Sequence, residues 1–171
     1  MKTIVVGFSK PKEFKLYAWL IMKCDKANFD HAYLKFYSDS LDREIIYQAI
    51  GKGVGFIGNI LFHTKNESVE EFKLSVDDNK YIIMMQFCID NSGMPYGFLE
   101  VLGMAWVKVC AKLGKTVTNP FNKGDKQEFC SEIVSRCLNV VKPEEFNIDV
   151  ENISPKELNS LLKQLNVEQV L

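Results

Sequence analysis

Cysteine and histidine are the residues here best suited to covalent and acid–base chemistry at neutral pH, and one pairing of them is placed for it. The cysteines are Cys24, Cys88, Cys110, Cys130 and Cys137; the histidines are His31 and His63. Cys130 opens a helical pattern directly after a polar stretch, where free backbone N–H groups and the helix dipole favour a thiolate. A nucleophilic thiol needs a base within hydrogen-bond reach, usually an imidazole. His31 begins a β-type run after the turn-like Asn28-Phe29-Asp30, which predicts a strand edge where a side chain faces a cleft. Cys24, Cys88, Cys110 and Cys137 sit in apolar runs and read as core cysteines. His63 reads as a loop or strand-end residue. The structural alternative for the pair is a half-buried cysteine packing a helix end and a histidine on the surface. No CxxC occurs, and two histidines offer almost no zinc-type spacing, so no metal or organic cofactor is implied.

A strand and a helix must be brought together for this pair to meet. Residues 3–8 form a β-rich run, and residues 12–23 suit a short, largely buried helix. Residues 31–37 and 44–50 read as a hairpin across Ser38-Asp39-Ser40. Gly51, Gly53, Gly55 and Gly58 mark an irregular, close-packed crossing, and a third strand pattern lies at 68–74. Residues 81–86 fit helix or strand equally. Residues 98–113 have helical spacing and stop at Gly114, a suitable residue just past a helix end. After an exposed loop at 115–129, residues 130–141 carry an apolar stripe that predicts a helix buried along one face. Ser154, Pro155 and Glu157 form a capping box for the last helix. The expectation is one α+β domain over residues 1–171, an antiparallel sheet packed against helices.

Composition bounds the function. With 21 basic and 22 acidic side chains in 171 residues, 47% of them hydrophobic, the chain is neither a disordered tail nor a coiled coil. Near-neutral charge argues against a general nucleic-acid binder. The N-terminal apolar run is too short for a signal-peptide core. Glu100 and Lys108 interrupt the longest apolar stretch, so stable membrane insertion is not expected. The reduced cysteines predict a cytoplasmic setting.

Several local words change the weight of the Cys–His pair. GMPYGF at 93–98 and FCSEIV at 129–134 resemble motifs of the NlpC-like papain-fold cysteine peptidases. In most of that superfamily the histidine follows the cysteine. Here FDHAYLKF at 29–36 precedes it and resembles the histidine strand of the circularly permuted, YiiX-like branch. IIYQAIGKGV at 45–54 and NISPKEL at 152–158 follow in the same order, so the resemblance covers about residues 3–165, weakly over 58–81. It implies a permuted papain-like fold with Cys130 as nucleophile and His31 as base. Gln48 falls where many relatives carry a Glu that orients the imidazole; its amide oxygen can still accept the Nδ1–H bond. Glu44, on the same strand face, is the fallback. Tyr96 matches a tyrosine beside the oxyanion site, although it equally suits a turn anchor, and Gln48 a satisfied strand residue.

The resemblance implies a cysteine peptidase or amidase acting on a peptide or amide-containing substrate through an acyl-enzyme, without nucleic acid. Acyl transfer or thioester cleavage on the same core, as in relatives of the lecithin retinol acyltransferase type, is the second reading. It is weakened by the lack of a second histidine at 41–43. A catalytically silent binding module is the third.

Overall fold

Alternation along the first strand sets the middle of the sheet. In the computed structural model, which describes residues 1–97, 103, 106–107, 110–111, 114–118, 129–150 and 153–171, Ile4, Val6 and Phe8 of β1 (Lys2–Pro11) are fully buried. β1 pairs antiparallel with β2 (His31–Ser38) on one side and with β5 (Asn66–Val76) on the other. β3 (Arg43–Ile50) pairs with β2, β4 (Gly53–Gly58) with β3, and the short β6 (Glu168–Gln169) with β5. The sheet is six-stranded and antiparallel, in the order β4-β3-β2-β1-β5-β6.

The two faces are unequal. One carries Ile4, Val6, Phe8, Ala32, Leu34, Phe36, Tyr47 and Phe72 into the main core. Met84 and Cys88 of α3 (Asp78–Asp90), much of α4 (Cys130–Val141), and Leu158 and Leu162 of α6 (Pro155–Gln164) cover it. A four-residue turn of helix, α5 (Pro143–Phe146), contributes Phe146. The opposite face holds a smaller cluster of Tyr33, Ile46 and Phe62, the last from α2 (Asn59–Lys65). The sheet and helices agree with the expected α+β class.

Most strands lie where alternation places them, and α4 begins and ends as predicted. The stretch 81–86 is helical, inside α3, and Asp77 caps that helix by accepting from Lys80 N–H. The capping box is complete: Glu157 N–H meets Ser154 Oγ at 3.3 Å and Ser154 N–H meets Glu157 Oε2 at 2.8 Å.

Four expectations need correction. The first helix runs Leu16–Asp25 and buries only Ala18; its apolar residues surround the axis, so no single face can pack. The glycine-marked stretch is a regular strand, because β3 offers a full ladder of partners to residues 53–58. His63 lies in α2, and α4 is buried on almost every side, Ser131, Glu132 and Ser135 included. Of 98–113, the described members 103, 106–107 and 110–111 are helical, and Gly114 (φ 72°) with the Lys115 N–H to Cys110 carbonyl bond makes the expected glycine stop. The rest of that stretch, and most of the 115–129 loop, lies outside the described residues. No helix among those described is long and apolar enough to cross a membrane.

A single glycine sets how β2 lies on β1. Gly7 pairs with Tyr33, and a Cβ on Gly7 would fall 2.1 Å from Tyr33 Cζ. The ring thus lies over bare backbone, and its hydroxyl donates to Glu71 Oε1 at 2.6 Å, an oxygen that also takes Lys35 Nζ at 3.0 Å. Gly7→Ala forces the ring out of this network. We expect a loss of at least about 2 kcal/mol in urea unfolding; an unchanged midpoint would show that the ring has room to move.

Candidate active site

Helix α4 starts abruptly. Phe129, in extended conformation, is its N-cap and offers no side-chain cap, so the first-turn N–H groups depend on their surroundings. Cys130 is the first helical residue, only 5% exposed, and its thiol faces the backbone N–H of Ala32 at the start of β2. Burial pushes the thiol up to about 12. The N–H groups of Ala32, Ser131 and Cys130 itself oppose the rise, and the charge of Asp30 adds to it. The expected thiolate is therefore not the resting form: desolvation outweighs the helix terminus.

His31 is held from the other side. Its Nε2 lies 2.9 Å from Gln48 Oε1, and because an amide oxygen only accepts, Nε2 carries the hydrogen and Nδ1 the lone pair. The bond falls on Nε2 where Nδ1 was expected. Burial lowers His31 to about 4; the Gln48 bond raises it, and Lys15 lowers it further. Glu44 cannot substitute for Gln48. It pairs with Tyr37 at the far end of the hairpin and accepts from Asn59 Nδ2 at 2.7 Å.

Strand alternation explains how these groups meet. Ala32, Leu34 and Phe36 point into the core shared with α4, while Tyr33 lies in the opposite cluster and the His31 ring lies 6.5 Å from that of Phe62. Cys130 and His31 thus approach the first residues of β2 from different sides. Among the described residues no hydrogen bond joins thiol to imidazole.

Tyr96 reaches the site through a backbone clasp. Val54 N–H donates to the Met94 carbonyl and Gly93 N–H to the Val54 carbonyl, each at 2.9 Å. Gly53 (φ 116°) permits this approach, since a Cβ there would lie 2.8 Å from Met94 O. Burial holds the Tyr96 hydroxyl well above its ordinary range, with Cys130, Tyr17 and Asp30 adding to the rise, so it stays an O–H donor.

The sequence reading did not single out Asp30. Its carboxyl is buried, 7% exposed, and Oδ1 has no hydrogen-bond partner. Burial raises it to about 6, against the pull of its own backbone N–H and of Lys15. A carboxylate directly before a buried strand was the available signal. Asp30, His31, Gln48 and Tyr96 share the wall of a cavity of about 600 Å³ whose apolar sides include Leu20 and Phe62. Cys24 also lines it, so Cys24 is not a core residue, whereas Cys88, Cys110 and Cys137 are buried.

No family model matches the chain, and no curated protein matches it. Among solved structures the fold is similar to the crystal structure of metalloprotein YiiX from Escherichia coli O157:H7, DUF1105. Identity is 13% and the TM-score 0.59, over 100% of this chain and 88% of that one. The likeness is one of fold. The metal belongs to the description of YiiX; among the described residues here no three His, Cys, Asp or Glu side chains are grouped to hold one.

Asp30 and His31 affect acid stability in opposite directions. The raised Asp30 contributes stability at low pH that is lost as pH climbs from about 3.8 to about 6, and the depressed His31 contributes stability that is lost as pH falls from about 6.5 to about 4. In urea titrations, Asp30→Asn should be the more stable protein at pH 7, by up to about 3 kcal/mol. His31→Asn should flatten the acid limb. Equal stability of wild type and Asp30→Asn at pH 7 would mean the carboxylate is solvated.

Proposed function

We propose that the protein is a cysteine hydrolase of permuted papain-like fold, cleaving an amide bond of a peptide-type substrate through an acyl-enzyme on Cys130. What supports this reading is a helix-initiating cysteine whose thiol faces the Ala32 N–H, one residue along the strand from a Gln48-bound imidazole on the cavity wall. The Cys130 sulfur attacks the carbonyl, the amine leaves, and water releases the acyl group. His31 is the acid–base partner, with Gln48 fixing its tautomer so that Nδ1 is free to take a proton. Tyr96 O–H and the Cys130 N–H donate to the oxyanion; such a donor is worth about 2.7–4 kcal/mol. The largely apolar cavity favours, as second reading, an acyl group bound as ester or thioester on the same machinery.

The test is acyl-enzyme trapping. With a panel of peptide amides and acyl thioesters, rapid acid quench and peptide mass spectrometry should find a substrate-derived adduct on the Cys130 peptide. Cys130→Ala should form none, and turnover should fall by at least about a thousandfold. His31→Ala should slow adduct formation at least about a hundredfold. A substrate that binds with no adduct in any of the proteins would favour the binding-module reading.

A further inference from the structure

The wall of the 600 Å³ cavity is sorted by depth and by charge. Its buried members, among them Asp30, Gln48, Ala49 and Phe62, form the floor. Tyr17, Leu20, Leu61 and Trp106 line it too, yet stay 39–55% exposed, so they form the mouth. Lys52 and Lys65 are exposed beside them, with Lys15 half-buried. An apolar and aromatic opening of this kind is unusual on a surface that meets only water.

The charge at the mouth has one sign. Asp30, at the floor, is the only carboxylate among the described residues of the wall. Residues 45–66, which supply the β3, β4 and α2 side of the cavity, contain no Asp or Glu. Lys2, Lys10, Lys35, Lys80, Lys142 and Lys163 each pair with a carboxylate. Among the described residues none of the three wall lysines does, and Lys15 lies 5.9 Å over the Tyr17 ring instead. At the floor, His31 Nε2 and Gln48 Oε1 satisfy one another at 2.9 Å, so no second charge is called for there.

We propose that this cavity binds one anionic amphiphile, its apolar part between Leu20, Ile57, Leu61 and Phe62 and its phosphate or carboxylate at the lysine-bearing mouth. The apolar walls supply affinity, since each methylene taken from water adds to it. The lysines supply orientation and choice of ligand: an anion is drawn to the mouth and a cation is repelled. Asp30 works in the same sense, because a carboxyl at the floor turns an anionic end outward. Binding of this kind goes beyond amide hydrolysis and does not require Cys130, which is not among the lining residues.

The chain has two tryptophans, and Trp19 lies away from this cavity, in a hollow with Met22 and Lys26. Trp19→Phe therefore leaves Trp106 as a reporter at the mouth. Below micelle-forming concentrations, decyl phosphate and decanoate should shift its emission to the blue and saturate at one equivalent. Decyltrimethylammonium should bind at least about tenfold more weakly. From octyl to dodecyl phosphate, each methylene should tighten binding by up to about fourfold. Lys52→Gln combined with Lys65→Gln should weaken decyl phosphate about tenfold and leave decanol unchanged. Leu61→Glu, at an exposed position, should abolish the shift. Isothermal calorimetry on the unsubstituted chain should give the same stoichiometry, which serves if Trp19→Phe does not fold. Equal affinity for cationic and anionic probes overturns the proposal, as does a response to inorganic phosphate alone that matches decyl phosphate. Decyl phosphate binding that ignores chain length or Leu61→Glu places the ligand elsewhere and overturns it too. No saturable signal by either method overturns it outright.

Discussion

The end-on seating of α4 against the first residues of β2 is the constraint from which the rest of the site follows. A helix N-terminus leaves backbone donors seeking acceptors, and here Ser131 and Glu132 are buried with it, so the first turn is enclosed by protein. Enclosure removes water from Cys130, Asp30 and the His31 ring together. Their altered proton affinities share that one cause and run in the directions it dictates: acids up, imidazole down. The sheet makes the enclosure rigid. β2 pairs with β1 along residues 31–36 and with β3 along residues 34–38, and the Tyr33 ring lying on Gly7 fixes its height against β1.

Patterns of period two and period 3.6 carry most of the fold, which is why β1, the β2–β3 hairpin and α4 were legible before any coordinates. Capping chemistry was equally legible, because Ser154, Pro155 and Glu157 act within a single turn. What sequence could not deliver was burial. The first helix looks like core by composition, yet only one of its residues finds a core to enter. Cys130 was read as a thiolate from the helix terminus alone; the opposing desolvation depends on Ala32 and Asp30, far away in the chain.

The site residues divide along the same line. His31 and Gln48 were named from the resemblance, and their hydrogen bond follows from neighbouring strands. Tyr96 depends on the clasp between Met94 and Val54, a contact that only the glycine at 53 allows. Asp30 escaped notice because an acidic residue in a turn is ordinary until its solvent has been taken away. Sequence gives the type of a side chain; the dielectric around it is a property of the whole fold.

The strand order also dictates a schedule. β1 is made first but sits inside the sheet, so it must wait for β2 and then for β5 before both its edges are paired. Domains whose contacts are distant in sequence assemble late during synthesis. A ribosome that has released β1 to β5 has already made His31 and Gln48, with Cys130 still to come. Only when α4 emerges and docks does Cys130 meet the start of β2, and the same docking takes its thiol out of water.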